Sequence, residues 1–255
     1  MARFPLPLSS RFPRMARVSA VKVGIISIVV GAIGTVLLFV LPDWFPVAAS
    51  VQAERQDELY LALMIMSSFI FSTVVVFLGY SMWKFRVPPD DDQDGPPIHG
   101  NTTLEIVWTV IPTIIVVAFA FAAGIVLIRN EERPKDRLIV GVTAQQFAWT
   151  FDYGDGKKST ILVLPVDRAV QFDITSKIHD VIHSFYVPEF RVKADAVPGI
   201  MNHTYATPTR TGRYLLECTE LCGIGHSQMR APVRVMTQEK FATWLAALPV
   251  TKGAS

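Results

Sequence analysis

Three long apolar runs without a charged residue constrain this chain more than any other feature of its sequence. They cover residues 23–41, 59–83 and 106–128, and none contains Asp, Glu, Lys or Arg. Since about 20 apolar residues in a helix cross the hydrocarbon core of a bilayer, each run is long enough to span a membrane. Over the whole chain 51% of residues are hydrophobic and only 18% are charged, which also favours a membrane protein over a soluble domain.

The basic residues predict the orientation of these spans, because Lys and Arg favour the cytoplasmic side of a membrane. They precede the first run and follow the second: Arg3, Arg11, Arg14, Arg17 and Lys22, then Lys84 and Arg86. Both flanks are therefore expected on the inside. The third run then leads outward, and everything after residue 130 is expected outside the cytoplasm.

Residues 1–50 allow two interpretations. Basic residues, an apolar run and the small-residue patterns Val47-x-Ala49 and Val51-x-Ala53 are typical of a secretory signal that is removed. The apolar run is longer than a usual signal core, which favours an additional transmembrane helix with a linker. The topology of the remaining chain is the same in both cases.

The pattern of apolar, polar and turn residues divides the rest of the chain into three parts. Residues 51–130 predict a transmembrane helical hairpin whose connection, VPPDDDQDGPPIHGNTT, is an exposed cytoplasmic loop. Thr102 or Thr103 is expected to cap the third helix, with Glu105 in its first turn. Residues 131–236 predict an all-β sandwich or barrel, because short apolar runs alternate with turn residues. These runs are RLIVGVT, FAWTFDY, STILVLPV, AVQFDITS, HSFYV, NHTYAT, GRYLLEC and APVRVM. Residues 237–255 predict a short helix and a tail.

The segment ECTELCGIGHSQM holds the only two cysteines of the chain, spaced Cys218-x3-Cys222-x3-His226-x2-Met229. Thiolate, imidazole and thioether donors together favour copper over ions that prefer oxygen ligands. A second thiolate is explained by a second metal, since two thiolates in one loop could bridge a pair of ions. A disulfide and a Cys2His2 zinc site remain alternatives, although the first leaves His226 and Met229 unexplained and the second gives the thioether no role.

Such a pair needs another imidazole from elsewhere in the chain. The segment HDVIHSFYVP offers His179 and His183. His183 opens an apolar, strand-like run and is the better candidate.

These segments resemble subunit II of haem-copper oxidases, in particular the cytochrome c oxidase type with a dinuclear copper A centre. The resemblance runs from about residue 58 to 236. It rests on IHGNTTLEIVWTVIP, FAWTFDY, HDVIHSFYVPEFRVKADAVPG and the complete cysteine loop. It implies a membrane-anchored fold in which the helical hairpin is followed by a cupredoxin-like Greek-key β-sandwich or barrel.

The resemblance also implies roles for individual residues. The copper ligands would be His183, Cys218, Cys222, His226 and Met229 by their side chains, and Glu220 by its backbone carbonyl. The side chains of Asp195 and Glu220 would contribute to a magnesium or manganese site facing subunit I. Glu105 would lie near the cytoplasmic mouth of a proton pathway, with a favourable interaction with the helix dipole as the alternative. Phe147 stands where the mitochondrial pattern has the tryptophan that accepts the electron.

The implied function is that of the subunit through which electrons enter a respiratory cytochrome c oxidase. Cytochrome c would reduce the copper pair, which would pass the electron to a haem in subunit I, where oxygen is reduced and protons are moved. The implied partners are subunits I and III, cytochrome c and membrane lipid. The implied location is the cell membrane of a prokaryote, as a multi-pass protein with its copper domain on the periplasmic side.

Two alternative functions predict a different sequence. A quinol oxidase subunit would share the fold but lack the copper ligands, and a membrane-anchored copper chaperone would show βαβ patterning and usually one anchor. A net charge of +2 without a basic stripe excludes nucleic acid as the expected partner.

The chain departs from the mitochondrial pattern in two ways. Strand alternation predicts Phe147 and Trp149 on one face, with Phe147 as a candidate surface point for electrons and Trp149 as a structural residue. Acids and bases after residue 131 are nearly balanced, so a donor that docks through apolar contacts, or one tethered nearby, is expected. The chain has no Cys-x-x-Cys-His motif, so no haem is expected to be attached to it covalently.

Overall fold

The structure is a computed structural model that describes residues 12–41, 45–86 and 100–250. Arg3, Arg11 and most of the expected cytoplasmic loop lie outside these residues. Three long helices are present: α1 (Phe12–Val40), α2 (Val51–Lys84) and α3 (Thr102–Asn130). In each of them the apolar stretch is long enough to cross a membrane, as the sequence predicts.

The described residues form two compact units. The first contains α1, α2 from Tyr60 onward and the start of α3. Within it, α1 and α2 approach closely at Gly31, whose carbonyl accepts a hydrogen bond from the Ser68 hydroxyl at 3.2 Å. A Cβ at Gly31 would lie 2.6 Å from Cδ1 of Phe69, so a larger residue would force the Phe69 ring to move.

The start of α3 corrects the predicted cap. Asn101, rather than Thr102 or Thr103, caps the helix, because its Oδ1 accepts from the Leu104 N–H at 3.1 Å. Glu105 reaches back and accepts from the Asn101 N–H, also at 3.1 Å. Both threonines already belong to the first helical turn.

The second unit contains a β-sandwich of two five-stranded sheets, which confirms the predicted architecture. One sheet has the order β3-β2-β1-β5-β8 and the other β4-β10-β9-β6-β7. The strands are β1 (Leu138–Gln145), β2 (Ala148–Asp152), β3 (Lys158–Ser159), β4 (Leu162–Pro165), β5 (Val170–Ser176), β6 (His183–Val187), β7 (Val192–Ala196), β8 (Asn202–Ala206), β9 (Gly212–Cys218) and β10 (Arg230–Met236).

The core forms where the two sheets face each other. Phe172 of β5 and Phe185 of β6 are fully buried, and their ring centroids lie 5.0 Å apart. Trp149 of β2 packs edge-on against Phe185 at 6.1 Å. Rings of this size supply much of the apolar burial that holds a sandwich together.

Helix α4 (Gln238–Ala247) confirms the predicted C-terminal helix. Thr237 caps it by accepting from the Lys240 N–H at 3.4 Å. Phe241 is the buried residue of α4, and Tyr153 of the sandwich packs edge-on against Trp244 at 5.1 Å.

The segment before α2 is built into the second unit. Ala49 and Ser50 are fully buried; the Ala49 N–H donates to the Glu189 carbonyl at 2.8 Å, and the Ser50 hydroxyl donates to the Phe190 carbonyl at 2.9 Å. A few residues later, Asp57 accepts two hydrogen bonds from the guanidinium of Arg191, both at 3.0 Å. Residues 45–59 are therefore part of the β-domain unit and not only a linker.

Candidate metal centre

The site lies where the start of strand β6 is beside the end of the antiparallel strand β9. Phe185 is paired with Cys218 in the register of these strands, which brings His183 at the start of β6 near Cys218 at the end of β9. The loop after Cys218 returns to β10 at Arg230, and the Cys218 N–H closes it by donating to the Met229 carbonyl at 3.1 Å. Sheet pairing thus brings together two segments that are far apart in sequence.

Donor atoms of all six predicted copper-binding residues converge in this corner. The Cys218 sulfur lies 3.8 Å from His183 Nδ1, 3.3 Å from the Glu220 carbonyl oxygen and 3.9 Å from the Cys222 sulfur. The Cys222 sulfur in turn lies 3.5 Å from His226 Nδ1 and 3.8 Å from the Met229 sulfur. His183 and Met229 are fully buried, and both cysteines are nearly so.

These separations suit a metal centre. Two ligands at about 2.0–2.3 Å from one ion, at a tetrahedral angle, are about 3.3–3.8 Å apart, judged by the bond lengths of a zinc site. The two sulfurs are much too far apart for a disulfide, whose S–S bond is about 2.05 Å, and both cysteines are free. The disulfide alternative is therefore not the state that the structure describes.

Burial also sets the protonation of the site. Desolvation, followed by the neighbouring Cys218 thiol, raises the pKa of Cys222 to about 11 from its ordinary value of 9.0. Without a metal the thiol is protonated at neutral pH. Because a metal binds the thiolate, metal binding here must release protons.

Asp180 supports the site and was not predicted from the sequence. Its Oδ1 lies 3.4 Å from His183 Nε2, while the other ring nitrogen, Nδ1, is directed at Cys218. Burial alone would raise the pKa of Asp180, but hydrogen bonds from the N–H groups of Gln146 and Val181 outweigh it and lower the pKa. The ionised carboxylate can fix the ring orientation of a ligating histidine. The only sequence signal is an acid three residues before His183.

Phe147 and Trp149 do not share a strand face, so that prediction is wrong. Strand β2 starts at Ala148, and Phe147 lies in the two-residue turn before it. Trp149 is 2% exposed and packs against Phe185 and His183, whereas Phe147 is 36% exposed. The ring of Phe147 lies on the cysteine loop, because a Cβ at Gly225 would come within 2.5 Å of its Cδ2 atom.

The remaining predicted side chains are not among the donor groups that converge at the two sulfurs. Asp195 is exposed on β7 and accepts from the Ser184 hydroxyl at 2.7 Å, and Glu220 is exposed in the cysteine loop. Glu105 is in the first turn of α3. His179, the second histidine considered, is exposed in the connection before β6.

The chain is similar to known proteins along most of its length. Residues 157–236 match the family described as cytochrome c oxidase subunit II, periplasmic domain, and residues 38–123 match its transmembrane domain. Cytochrome c oxidase subunit 2 of a Synechocystis species is 31% identical, covering 88% of this chain and 82% of that protein. The Cereibacter sphaeroides protein of the same name is 30% identical, covering 73% of each chain.

Among solved structures, the periplasmic domain of subunit II of cytochrome oxidase from Bradyrhizobium japonicum is 31% identical, with a TM-score of 0.42. It covers 45% of this chain and 95% of that domain. The matched families describe an extracytoplasmic domain anchored by membrane helices and imply a copper site. The chain therefore belongs to the cytochrome c oxidase subunit II family, and it is the subunit through which electrons enter this oxidoreductase complex.

Proposed function

We propose that the chain binds a pair of copper ions with His183, Cys218, Cys222, His226, Met229 and the carbonyl of Glu220. The observation that carries this assignment is the convergence of all six donor groups, with successive donors 3.3–3.9 Å apart in one buried corner. Soft sulfur and imidazole donors suit copper. Two thiolates whose sulfurs are 3.9 Å apart can each reach both ions of a pair.

A copper pair held by these residues would supply one-electron chemistry between a donor and an acceptor in a neighbouring subunit. The protein holds the donor groups rigidly for this purpose. Cys218 and Met229 are joined by a backbone hydrogen bond, and Trp149 packs beside His183. Ligands that do not move when the charge changes favour fast electron transfer and offer no site for substrate chemistry.

The proposed electron donor is cytochrome c, docking over the cysteine loop. Leu221 and Ile224 in this loop are 79% and 102% exposed, and Phe147 presents its partly exposed ring beside them. An apolar surface of this kind favours a donor that docks through apolar contacts. Phe147 would then be the contact point between the donor and the ligand loop.

The remaining partners follow from the family and the exposed acids. Subunits I and III of the oxidase would bind the chain within the cell membrane of a prokaryote, with the sandwich on the periplasmic side. Asp195 and the Glu220 side chain would share a magnesium or manganese ion with subunit I, because exposed carboxylates suit such ions. Glu105 would serve a proton pathway at the opposite membrane face.

The β-domain is proposed to include residues 45–59 in addition to 131–236. The buried Ala49, Ser50 and Ala53 and the Arg191–Asp57 pair support this boundary. Cleavage after Ala49 or Ala53 would remove buried residues, so a processing site before Phe45 is compatible with the fold and these two are not.

The test is Cys218→Ser in the purified oxidase, with Ser227→Ala as control. Ser227 is an exposed residue of the same loop and carries none of the proposed donor groups. Cys218→Ser should abolish reduction of the chain by cytochrome c, because a bridging thiolate is lost, and Ser227→Ala should keep the wild-type rate. Wild-type turnover of the Cys218→Ser oxidase with cytochrome c would refute the assignment.

A further inference from the structure

The turn between β1 and β2 is hydrogen-bonded to both segments that carry the proposed ligands, the cysteine loop and the segment before β6. The side-chain amide of Gln146 donates to the Cys222 carbonyl at 2.6 Å. The backbone N–H of the same residue donates to Asp180 Oδ2 at 2.8 Å. One residue therefore contacts the cysteine loop through its side chain and the segment before β6 through its backbone.

Asp180 continues this connection to His183. Its Oδ1 accepts from the Val181 N–H at 2.7 Å and lies 3.4 Å from His183 Nε2. The side chain of Asp180 is 11% exposed and that of His183 is fully buried. A continuous chain of polar contacts thus runs from the Cys222 carbonyl through Gln146 and Asp180 to the histidine ring.

Two glycines of the cysteine loop provide the space for this turn. A Cβ at Gly223 would lie 3.0 Å from the Gln146 amide nitrogen and 3.2 Å from the Phe147 ring. A Cβ at Gly225 would lie 2.5 Å from the same ring. The loop and the turn therefore pack closely at both glycines, where a larger residue would displace the Gln146 amide or the Phe147 ring.

We propose that Gln146 is a positioning residue that holds the ligand loop in its metal-binding conformation before any metal arrives. This inference rests on the proposed copper site. It adds that the first β-hairpin, which supplies none of the donor groups, pre-organises the loop. Residues that orient metal ligands typically change metal affinity by about 10- to 100-fold when they are replaced.

The test uses the full chain in detergent, with Gln146→Leu and the control Gln145→Leu. Gln145 lies on the same hairpin, and its side chain makes no hydrogen bond with the described residues. Gln146→Leu removes the donor at similar size, and Gln146→Glu places a carboxylate against the carbonyl. Both are expected to weaken copper binding about tenfold or more, while Gln145→Leu leaves copper affinity unchanged.

A second readout separates this inference from the copper assignment. Hydrogen–deuterium exchange of residues 219–229 in the metal-free, reduced chain is expected to be several-fold faster in Gln146→Leu than in wild type and Gln145→Leu, with the thermal midpoint of the domain unchanged. Equal loop exchange in all three proteins would overturn the positioning role even if copper binds. A wild-type chain that binds no copper would overturn the proposed function, and the exchange comparison would still decide whether Gln146 orders the loop.

Discussion

Replacing Gly225 with alanine tests whether the Phe147 ring is seated on the ligand loop. The backbone of Gly225 has φ −93° and ψ 8°, which alanine can adopt, so any effect comes from the added methyl group. Its Cβ would lie 2.5, 2.6 and 2.9 Å from three atoms of the Phe147 ring. Carbon atoms in contact are about 3.5–4.0 Å apart, and the ring must therefore move.

The loss of unfolding free energy depends on how the Phe147 ring makes room for the methyl group. Crowding a packed site typically costs about 1–3 kcal/mol. The Phe147 ring can move into solvent, because it is already 36% exposed. Roughly two thirds of the residue is buried and would lose its contacts. Complete burial of a Phe side chain is worth about 1.5–3 kcal/mol. Moving this ring into solvent should therefore cost about 1–2 kcal/mol, which is the upper limit for the loss of unfolding free energy in Gly225→Ala.

A double-mutant cycle measures this coupling. Urea unfolding of the metal-free chain, followed by tryptophan fluorescence, gives the free energy of unfolding of Gly225→Ala, Phe147→Ala and the double variant. Gly225→Ala should lose about 1–2 kcal/mol in the wild-type background and almost nothing in Phe147→Ala. Gly141→Ala is the control, because its Cβ would meet Asp152 at an ordinary 3.4 Å. An equal loss in both backgrounds would refute the seating of the ring.

Three further predictions concern other parts of the sandwich. Tyr153→Phe should cost about 1–3 kcal/mol in unfolding free energy, because the Val163 N–H and carbonyl each lose a partner. Burial raises the pKa of Tyr153 above its ordinary 10.0, so the folded state keeps the proton longer than the unfolded state. The advantage of wild type over Tyr153→Phe should therefore shrink as pH rises above 10. Met229→Leu should shift the reduction potential while leaving much of the copper bound, because a thioether is a weak ligand; an unchanged potential would show that its sulfur is not coordinated. Asp57→Ala should lower the unfolding free energy by about 2 kcal/mol, less than a fully buried pair would lose, since its side chain is 27% exposed.

An exposed ion pair provides the control for Asp57→Ala. Glu217 forms an ion pair with Arg230 at 3.5 Å, and both side chains are at least one-third exposed. Glu217→Ala should therefore change stability by less than about 1 kcal/mol. If Asp57→Ala is no more harmful than Glu217→Ala in the same denaturation assay, the segment before α2 does not stabilise the β-domain.

The features that the sequence predicted correctly are those with a local signal. Three charge-free runs are sufficient to predict membrane spans, and the spacing from Cys218 to Met229 concentrates soft donors in one loop. His183 opens a strongly apolar strand, and the structure brings its ring nitrogen within 3.8 Å of the Cys218 sulfur, while its role as a copper ligand stays a prediction. These predictions needed no knowledge of which strands pair.

The missed features depend on tertiary contacts. Strand β7 has the sequence VKADA, whose small apolar residues give a weak alternating pattern, and it forms by pairing with β6. The sequence alone predicts that Phe147 lies in a strand. The structure places it in the turn before β2, with its ring against Gly225. Nothing local marks Gln146 or Ala49, because their roles arise from partners 76 and more than 100 residues away in the chain.

The central claim is that this chain holds two copper ions between the cysteine loop and His183. Metal analysis combined with electron paramagnetic resonance of the purified chain tests it most directly. The predicted result is two coppers per chain sharing one unpaired electron. One zinc ion per chain, or a metal-free protein with Cys218 bonded to Cys222, would contradict it.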